Sequence, residues 1–254
     1  MKLQSILTTL KKAAELAEPT IDITMFLASP PSDLPRRNCP ALFLYLLNIF
    51  SKAIVAQLVD EASAKPQIAD NVGTISSHIF AVEALRWHGH TLIDILISKI
   101  HIVCPVLFGI YGDEKSPAGK DRLGWRREAP NGPFITELTH FGRMTGLGAG
   151  FAGISLRNYE KAVAKNPYPD YHYWQCLARV TNVPPNQITQ THFVVLKAMI
   201  EGYEGRFLQF YGDAAMAALR HALIELPKRS PQSVAAKTLA GLVDVQRREL
   251  RLLL

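Results

Sequence analysis

The sequence has few cysteines and no arrangement of them that would hold a metal. Cys39, Cys104 and Cys176 are an odd number without CxxC spacing. This argues against the disulfide framework of a small secreted protein and against a structural zinc site. A chain of 254 residues buries enough apolar surface to fold without such cross-links. We therefore expect a globular protein of a reducing compartment that binds no metal.

Acidic charge is in short supply relative to basic charge. The chain has 28 Lys and Arg against 22 Asp and Glu, a net charge of +6. Such an excess suits an anionic partner but identifies none.

A membrane-type hydrophobic run and a signal peptide are not expected either. The first residues contain no apolar h-region. The most apolar stretch, residues 41–59, contains Asn48, Lys52 and Gln57, which makes a bilayer span unfavourable. We predict a buried core helix there and no membrane insertion.

Catalytic motifs are equally scarce. Gly148–Gly153 fits GxGxxG, but both flanks have helical periodicity, whereas a dinucleotide site needs a strand before the motif. Gly142, Gly146 and Gly150 instead recur every four residues on one predicted helix face, where a second helix could approach closely. The eight histidines lack ligand spacing, and Cys104 lacks a partner base. We predict a binding protein and not an enzyme.

Helical periodicity recurs along the chain, and prolines mark the ends of the predicted helices. Helices are predicted over residues 2–18, 41–64, 72–88, 90–103, 136–164, 171–181, 187–201, 203–226 and 232–253. Residues 28–40 and 109–133, rich in Pro and Gly, are predicted loops. Paired helices with short turns predict one all-α domain over residues 1–254, a HEAT-like or MIF4G-like stacked array. Such arrays present a large curved surface for partners.

Basic residues interrupt the most apolar helices. Lys52 lies in the helix after residue 41, and Lys99 and His101 lie in the helix ending before Pro105. A single lysine there usually extends its charge into solvent, but two on neighbouring helices could converge on a polyanion. Further basic residues lie in loops, namely Arg36, Arg37, Lys115, Lys120, Arg122, Arg126 and Arg127.

Eight short stretches in fixed order also resemble one known family. They are Leu47–Gln57, Lys65–Pro66, Cys104–Pro105, Gly124–Arg127, Arg143–Gly146, Trp174–Arg179, Thr189–Val194 and Phe207–Gly212. Together they resemble the C-terminal domain of the Gle-one family of mRNA export factors, nucleoporins of the cytoplasmic side of the nuclear pore, and most closely its fungal members. The resemblance implies a HEAT-like helical fold.

The resemblance also implies ligands and partners. In the N-terminal half, residues 1–110, it implies a basic pocket for inositol hexakisphosphate, which bridges the domain to a DEAD-box ATPase and promotes ATP turnover and RNA release. RNA would be contacted only indirectly. In the C-terminal half, residues 134–254, it implies binding of a short C-terminal motif of an FG nucleoporin. The expected location is the nuclear pore and the cytoplasm.

Carried over by position, the resemblance assigns Lys52 and Lys99 to the polyphosphate pocket. Ala56 stands where a fungal relative has a histidine ligand, and a family Lys-Lys pair is replaced by Ile102 and Val103. Weaker ligand binding is therefore expected than in relatives that keep those cations.

Three further basic residues, His101, Arg36 and Arg37, are candidates to compensate for the lost ligands. For the peptide motif, the candidate contacts are the aromatic residues Tyr203, Phe207, Phe210 and Tyr211, with a purely structural role in the core left open. The alternative function is an RNA-binding helical scaffold acting in translation, which the basic charge also suits, although no RNA-binding motif is evident.

Overall fold

The computed structural model describes residues 2–28, 37–62, 66–249 and 251, and the chain is mostly helical over this part. Its α-helices are α1 (Lys2–Ala14), α2 (Ala41–Asp60), α3 (Pro66–Ala81), α4 (Asp94–Val103), α5 (Pro117–Arg122), α6 (Glu137–Ser155), α7 (Tyr171–Thr181), α8 (Gln190–Ile200), α9 (Glu204–Arg220), α10 (Val234–Ala240) and α11 (Leu242–Glu249). The predicted all-α helical array is confirmed.

Two short strands are present, one before the predicted N-terminal loop and one at its end. β1 (Thr20–Asp22) pairs antiparallel with β2 (Asn38–Pro40), and Ile21 lies opposite Cys39. Three residues per strand are too few for a recognisable alternation of apolar and polar positions, so the sequence predicted only a loop over residues 28–40. Residues 29–36 of that loop lie outside the described residues.

Helix α6 lies at the centre of the array because its glycines let three helices approach closely. It packs against α2, α3 and α8. A Cβ added at Gly148 would lie 2.8 Å from a carbonyl oxygen of α8, and one at Gly150 would collide with Leu58 of α2. A Cβ at Gly73 of α3 would lie 2.5 Å from the carbonyl carbon of Gly153. Cβ atoms at such positions would force the helices apart.

The predicted role of glycines in helix packing is thus confirmed at Gly150, whereas the close approaches at Gly73 and Gly148 were not predicted. Of Gly142, Gly146 and Gly150, Gly150 makes a close approach to another helix, while Gly142 lines a surface groove. The reason is that α6 is surrounded on several faces, so the contact glycines are distributed around the helix and not along one stripe.

Several helix boundaries differ from the prediction. Helix α3 begins at Pro66, six residues before its predicted start, because proline is well suited to the first turn of a helix. Helix α6 ends at Ser155, nine residues before its predicted end. The predicted helix over 232–253 is two helices, α10 and α11.

Helix α9 is kinked where one helix was predicted. Gly212 has φ +51° and ψ −126° within it, a backbone conformation that glycine adopts readily and most other residues do not. The chain then continues past Arg220 into a single π-helical turn, His221–Glu225.

Helix α2 is long and apolar enough to cross a membrane by length and composition. One face of the helix buries Phe43, Leu47, Ile54 and Leu58 in contacts with α1, α3, α4 and α6. About a third of the apolar stretch is buried, so α2 is a helix of the array with one buried face, whereas the sequence predicted a buried core helix.

The predicted loop over residues 109–133 is held firmly to the array. The Glu114 carboxylate accepts hydrogen bonds from the backbone N–H groups of Gln190 and Thr191, at 3.0 and 3.1 Å, and so caps the N-terminus of α8. Trp125 is buried and stacks on His140 with ring centroids 4.0 Å apart. The segment also contains α5, so it is an ordered layer against α6 and α8.

Candidate anion-binding site

Lys52 and Lys99 lie close together on neighbouring helices. Lys52 is exposed on α2 and Lys99 is half-buried on α4, and these two helices pack against each other. The pKa of Lys99 is lowered, mainly because partial burial desolvates its ammonium group and also because the charge of Lys52 is nearby. Within the described residues neither lysine forms an ion pair. Two uncompensated positive charges therefore face the same surface.

A groove of about 540 Å³ runs beside this lysine pair. Its walls come from α2, α4 and the short 3-10 turn at Thr24–Phe26. Lys99 and His101 lie on its rim, and the His101 ring packs against Phe108 with centroids 4.5 Å apart. We call it the α2–α4 groove, and no sequence pattern predicted it.

The remaining predicted basic ligands are less centrally placed. Arg37 is exposed beside Asp22. Hydrogen bonds from Thr24 are the main cause of the lowered pKa of Asp22, and the Arg37 charge makes a smaller contribution. Arg36 lies outside the described residues. Of the predicted set, Lys99 lies near Lys52 and lines the same groove as His101.

The three positions at which the resemblance implies cations that this chain lacks lie on these same two helices. Ala56 of α2 is exposed, one turn beyond Lys52. Ile102 of α4 is 75% exposed, and Val103 is half-buried. The surface around the lysine pair is therefore less positive than the one implied by the family pattern.

The second group of basic residues, in the segment 115–127, is partly engaged in internal contacts. The Lys120 ammonium lies 4.5 Å from the centre of the Trp125 ring. Arg127 pairs with Asp121 at 3.1 Å and lies over the Phe134 ring at 3.9 Å. These cation–π and ionic contacts fix the segment, which makes it a weaker candidate for a free anion.

A second, apolar groove of about 710 Å³ lies in the C-terminal half, between α6, α8 and α10. Leu138 and Val234, at its edges, are 85% and 71% exposed, and Phe141 and Val194 line it. We call it the α6–α10 groove. Glu137, Lys197 and Glu201 lie around it, so a mainly apolar channel has a charged rim.

The aromatic residues predicted to contact a peptide lie elsewhere. Tyr203 and Phe207 are buried, 5% and 0% exposed, and Phe207 packs against Tyr173. Burial leaves these two without a surface for a partner, and their role in the described structure is in the core. Phe210 and Tyr211 are half-buried. The sequence pattern did not distinguish the two pairs because α9 has neighbours on more than one side.

Residues with catalytic potential are in structural positions. Burial raises the pKa of the Cys104 thiol to about 12, so it is protonated and unreactive at neutral pH. Burial, with smaller contributions from Arg143 and Lys120, lowers the pKa of His140 to about 3, and its Nε2 lies 2.9 Å from the Thr191 hydroxyl. In the part of the chain that the structure describes, no group of three or more His, Cys, Asp or Glu could hold a metal.

This helical fold is shared with known proteins. Residues 1–223 match the family model described as GLE1-like protein. The chain belongs to this family. It is 46% identical over 255 residues to the mRNA export factor GLE1 of Chaetomium thermophilum, covering 98% of this chain and 47% of that protein. It is 28% identical over 178 residues to the mRNA export factor GLE1 of Saccharomyces cerevisiae, covering 69% of this chain and 32% of that protein.

The chain thus spans about half the length of the first of these relatives, and about a third of the second. Its fold is also similar to that of a chain in a solved complex described as the S. cerevisiae Dbp5 C-terminal domain bound to Gle1 and IP6. That likeness has a TM-score of 0.72 and 26% identity, and it covers 81% of this chain and 69% of the other. A second complex, with a variant Gle1, gives the same values.

Proposed function

We propose that this GLE1-like domain is a non-catalytic adaptor in mRNA export. It binds inositol hexakisphosphate at the Lys52–Lys99 pair and, through that ligand, the C-terminal domain of a Dbp5-type DEAD-box ATPase. It then stimulates ATP turnover and RNA release at the cytoplasmic face of the nuclear pore. The observation that carries the proposal is the nearness of Lys52 on α2 to Lys99 on the adjoining helix α4, with no ion-pair partner for either among the described residues.

The positive charge of the two lysines favours a ligand with a high density of negative charge. Holding two ammonium groups close together without an acidic partner is unfavourable, so an anion that lies between them relieves their repulsion. A ligand with six phosphates offers oxygens to several cations at once. The solved complexes that contain Gle1, Dbp5 and IP6 support this assignment, since their chain shares the fold at 26% identity.

Calorimetric titration with inositol hexakisphosphate tests the ligand assignment. We expect saturable binding that weakens steeply as salt is raised, because attraction to a polyanion at a partly exposed site is screened. Binding should also be weaker than to the Chaetomium thermophilum relative if that relative keeps the cations replaced here by Ile102 and Val103. A titration with no heat change, together with no displacement of a labelled analogue, would contradict the proposal.

We further propose that the α6–α10 groove binds the short nucleoporin motif implied by the resemblance. A groove of about 710 Å³ with apolar edges suits a short amphipathic helix, which binds with its apolar face in such a channel. The exposure of Leu138 and Val234 supports this placement, because large apolar side chains exposed at both edges of a groove often mark a binding site.

Replacing Leu138 and Val234 with serine is expected to weaken the peptide complex about tenfold, because two apolar contacts are lost. The wild-type domain should melt at a higher temperature when the peptide is present, since a ligand of the folded state stabilises it, and the double variant should lose most of that increase. Met25→Ser, at an equally exposed site in the N-terminal half, is the control. An unchanged increase in the double variant would refute the placement.

The alternative of a direct RNA-binding scaffold is less well supported. Single-stranded RNA is usually bound by aromatic side chains that stack on bases next to cations. Trp125, which has Lys120 beside it, is buried and already stacked on His140, and the half-buried Phe134 ring is covered by Arg127 at 3.9 Å. We therefore propose that the domain affects RNA only through the ATPase.

A further inference from the structure

The α2–α4 groove has an apolar wall that the proposed anion site does not use. Met25 and Phe26, 72% and 37% exposed, form this wall together with Leu44 of α2. Lys99 and His101 stand on the rim of the same groove. Apolar surface and positive charge are thus side by side within one depression.

The outer face of α2 adds to this apolar surface. Leu42, Tyr45 and Ile49 are 44%, 58% and 42% exposed, and they lead to Lys52 at helical spacing of three and four residues. A helix packed in the array would normally present polar residues on its outer face. An exposed apolar stripe that ends at a cation indicates an interface with an apolar centre and a charged edge.

Met25 and Phe26 are held in place by contacts on both sides. The backbone N–H of Ala28 donates to the Asp94 carboxylate of α4 at 2.8 Å. The backbone N–H of Ile23, whose side chain is fully buried, donates to the Arg37 carbonyl at 2.8 Å. The 3-10 turn between these two anchor points therefore presents its apolar side chains outward in a fixed position, which lowers the entropy cost of binding.

We infer that the α2–α4 groove receives an apolar side chain of the ATPase that shares the polyphosphate with Lys52 and Lys99. This inference rests on the proposed function. The occupant follows from continuity, because Lys99 lines the groove and also lies near Lys52. A partner that binds the same ligand must therefore lie over the groove. The contact then has two parts, a salt-sensitive one through the ligand and a salt-insensitive one through the groove.

The test compares the full chain with a Met25→Ser and Phe26→Ser double variant. With inositol hexakisphosphate present, we expect the variant to bind the ATPase about tenfold more weakly, with the dependence of affinity on salt unchanged. Its affinity for the ligand alone should equal that of wild type, since the lysines are intact. Lys52→Glu should instead reduce the salt dependence. Val163→Ser, a loss of fully exposed apolar surface in the loop after α6, is the control.

Three results would overturn the inference. The double variant could bind the ATPase as tightly as wild type, or Val163→Ser could weaken binding equally. The third is a wild-type dimer in sedimentation that the double variant abolishes, which would assign the groove to a second copy of the chain. Failure of the proposed function would look different, since wild type itself would then show no ligand-dependent binding to the ATPase.

Discussion

Charge reversal at both Lys52 and Lys99 is expected to weaken binding of inositol hexakisphosphate about 100-fold or more and to abolish ligand-dependent stimulation of the ATPase. Each charge-assisted contact contributes about 1.5 kcal/mol, close to tenfold in affinity, at a partly shielded site. Glutamate also adds repulsion towards the phosphates. Lys99 is half-buried and Lys52 exposed, so Lys99→Glu should have the larger effect because solvent screens it less.

The control for this experiment is Lys161→Glu. Lys161 is exposed in the loop after α6, so its reversal changes the net charge without altering the proposed site. Circular dichroism and melting temperature should be unchanged in the variants, because the lysines make no ion pair within the described residues. If the double variant binds and stimulates like wild type, the site lies elsewhere, with the segment 115–127 as the next candidate.

Gly73→Ala and Gly148→Ala are each expected to destabilise the fold by about 3 kcal/mol and to lower the melting temperature by about 5–10 °C. At Gly73 the new Cβ would lie 2.5 Å from the Gly153 carbonyl carbon, and at Gly148 2.8 Å from the Val195 carbonyl oxygen. Both neighbours are backbone atoms, so only movement of a whole helix could relieve the contact. The gain in helix propensity, about 1 kcal/mol, does not offset this cost.

Gly205→Ala provides the matched control for the glycine variants. Gly205 is also helical, in the first turn of α9, but nothing lies within 4 Å of a Cβ built there. The same substitution should therefore leave the melting temperature unchanged or raise it slightly. A wild-type melting temperature for Gly73→Ala would show that α3 and α6 do not approach as closely as described.

The sequence predicted the site lysines because each one interrupts an apolar helix. A charge at such a position has to reach solvent, so Lys52 and Lys99 were expected on the exposed surface of their helices. Their proximity depends on α2 packing against α4, which helical periodicity alone could not establish. The resemblance gave the order of the motifs over the chain, and the family is now established over residues 1–223.

The apolar wall of the α2–α4 groove was not predictable in this way. Met25 and Phe26 occupy it because β1 pairs with β2 and because Ala28 is bonded to Asp94, 66 residues away in the sequence. Contacts of that separation leave no periodic signal. Tyr203 and Phe207 were misassigned for a related reason, since aromatic content shows that a helix has apolar surface but not which neighbour covers it.

The central claim is that inositol hexakisphosphate joins this domain to the ATPase. It is tested most directly by measuring association of the full chain with the ATPase C-terminal domain in the presence and absence of the ligand, for example by sedimentation or calorimetry. We expect association to be at least about tenfold tighter with the ligand, since several charge-assisted contacts form only when it is bound, and the double lysine variant should not respond to it. Equal affinity with and without the ligand would contradict the account.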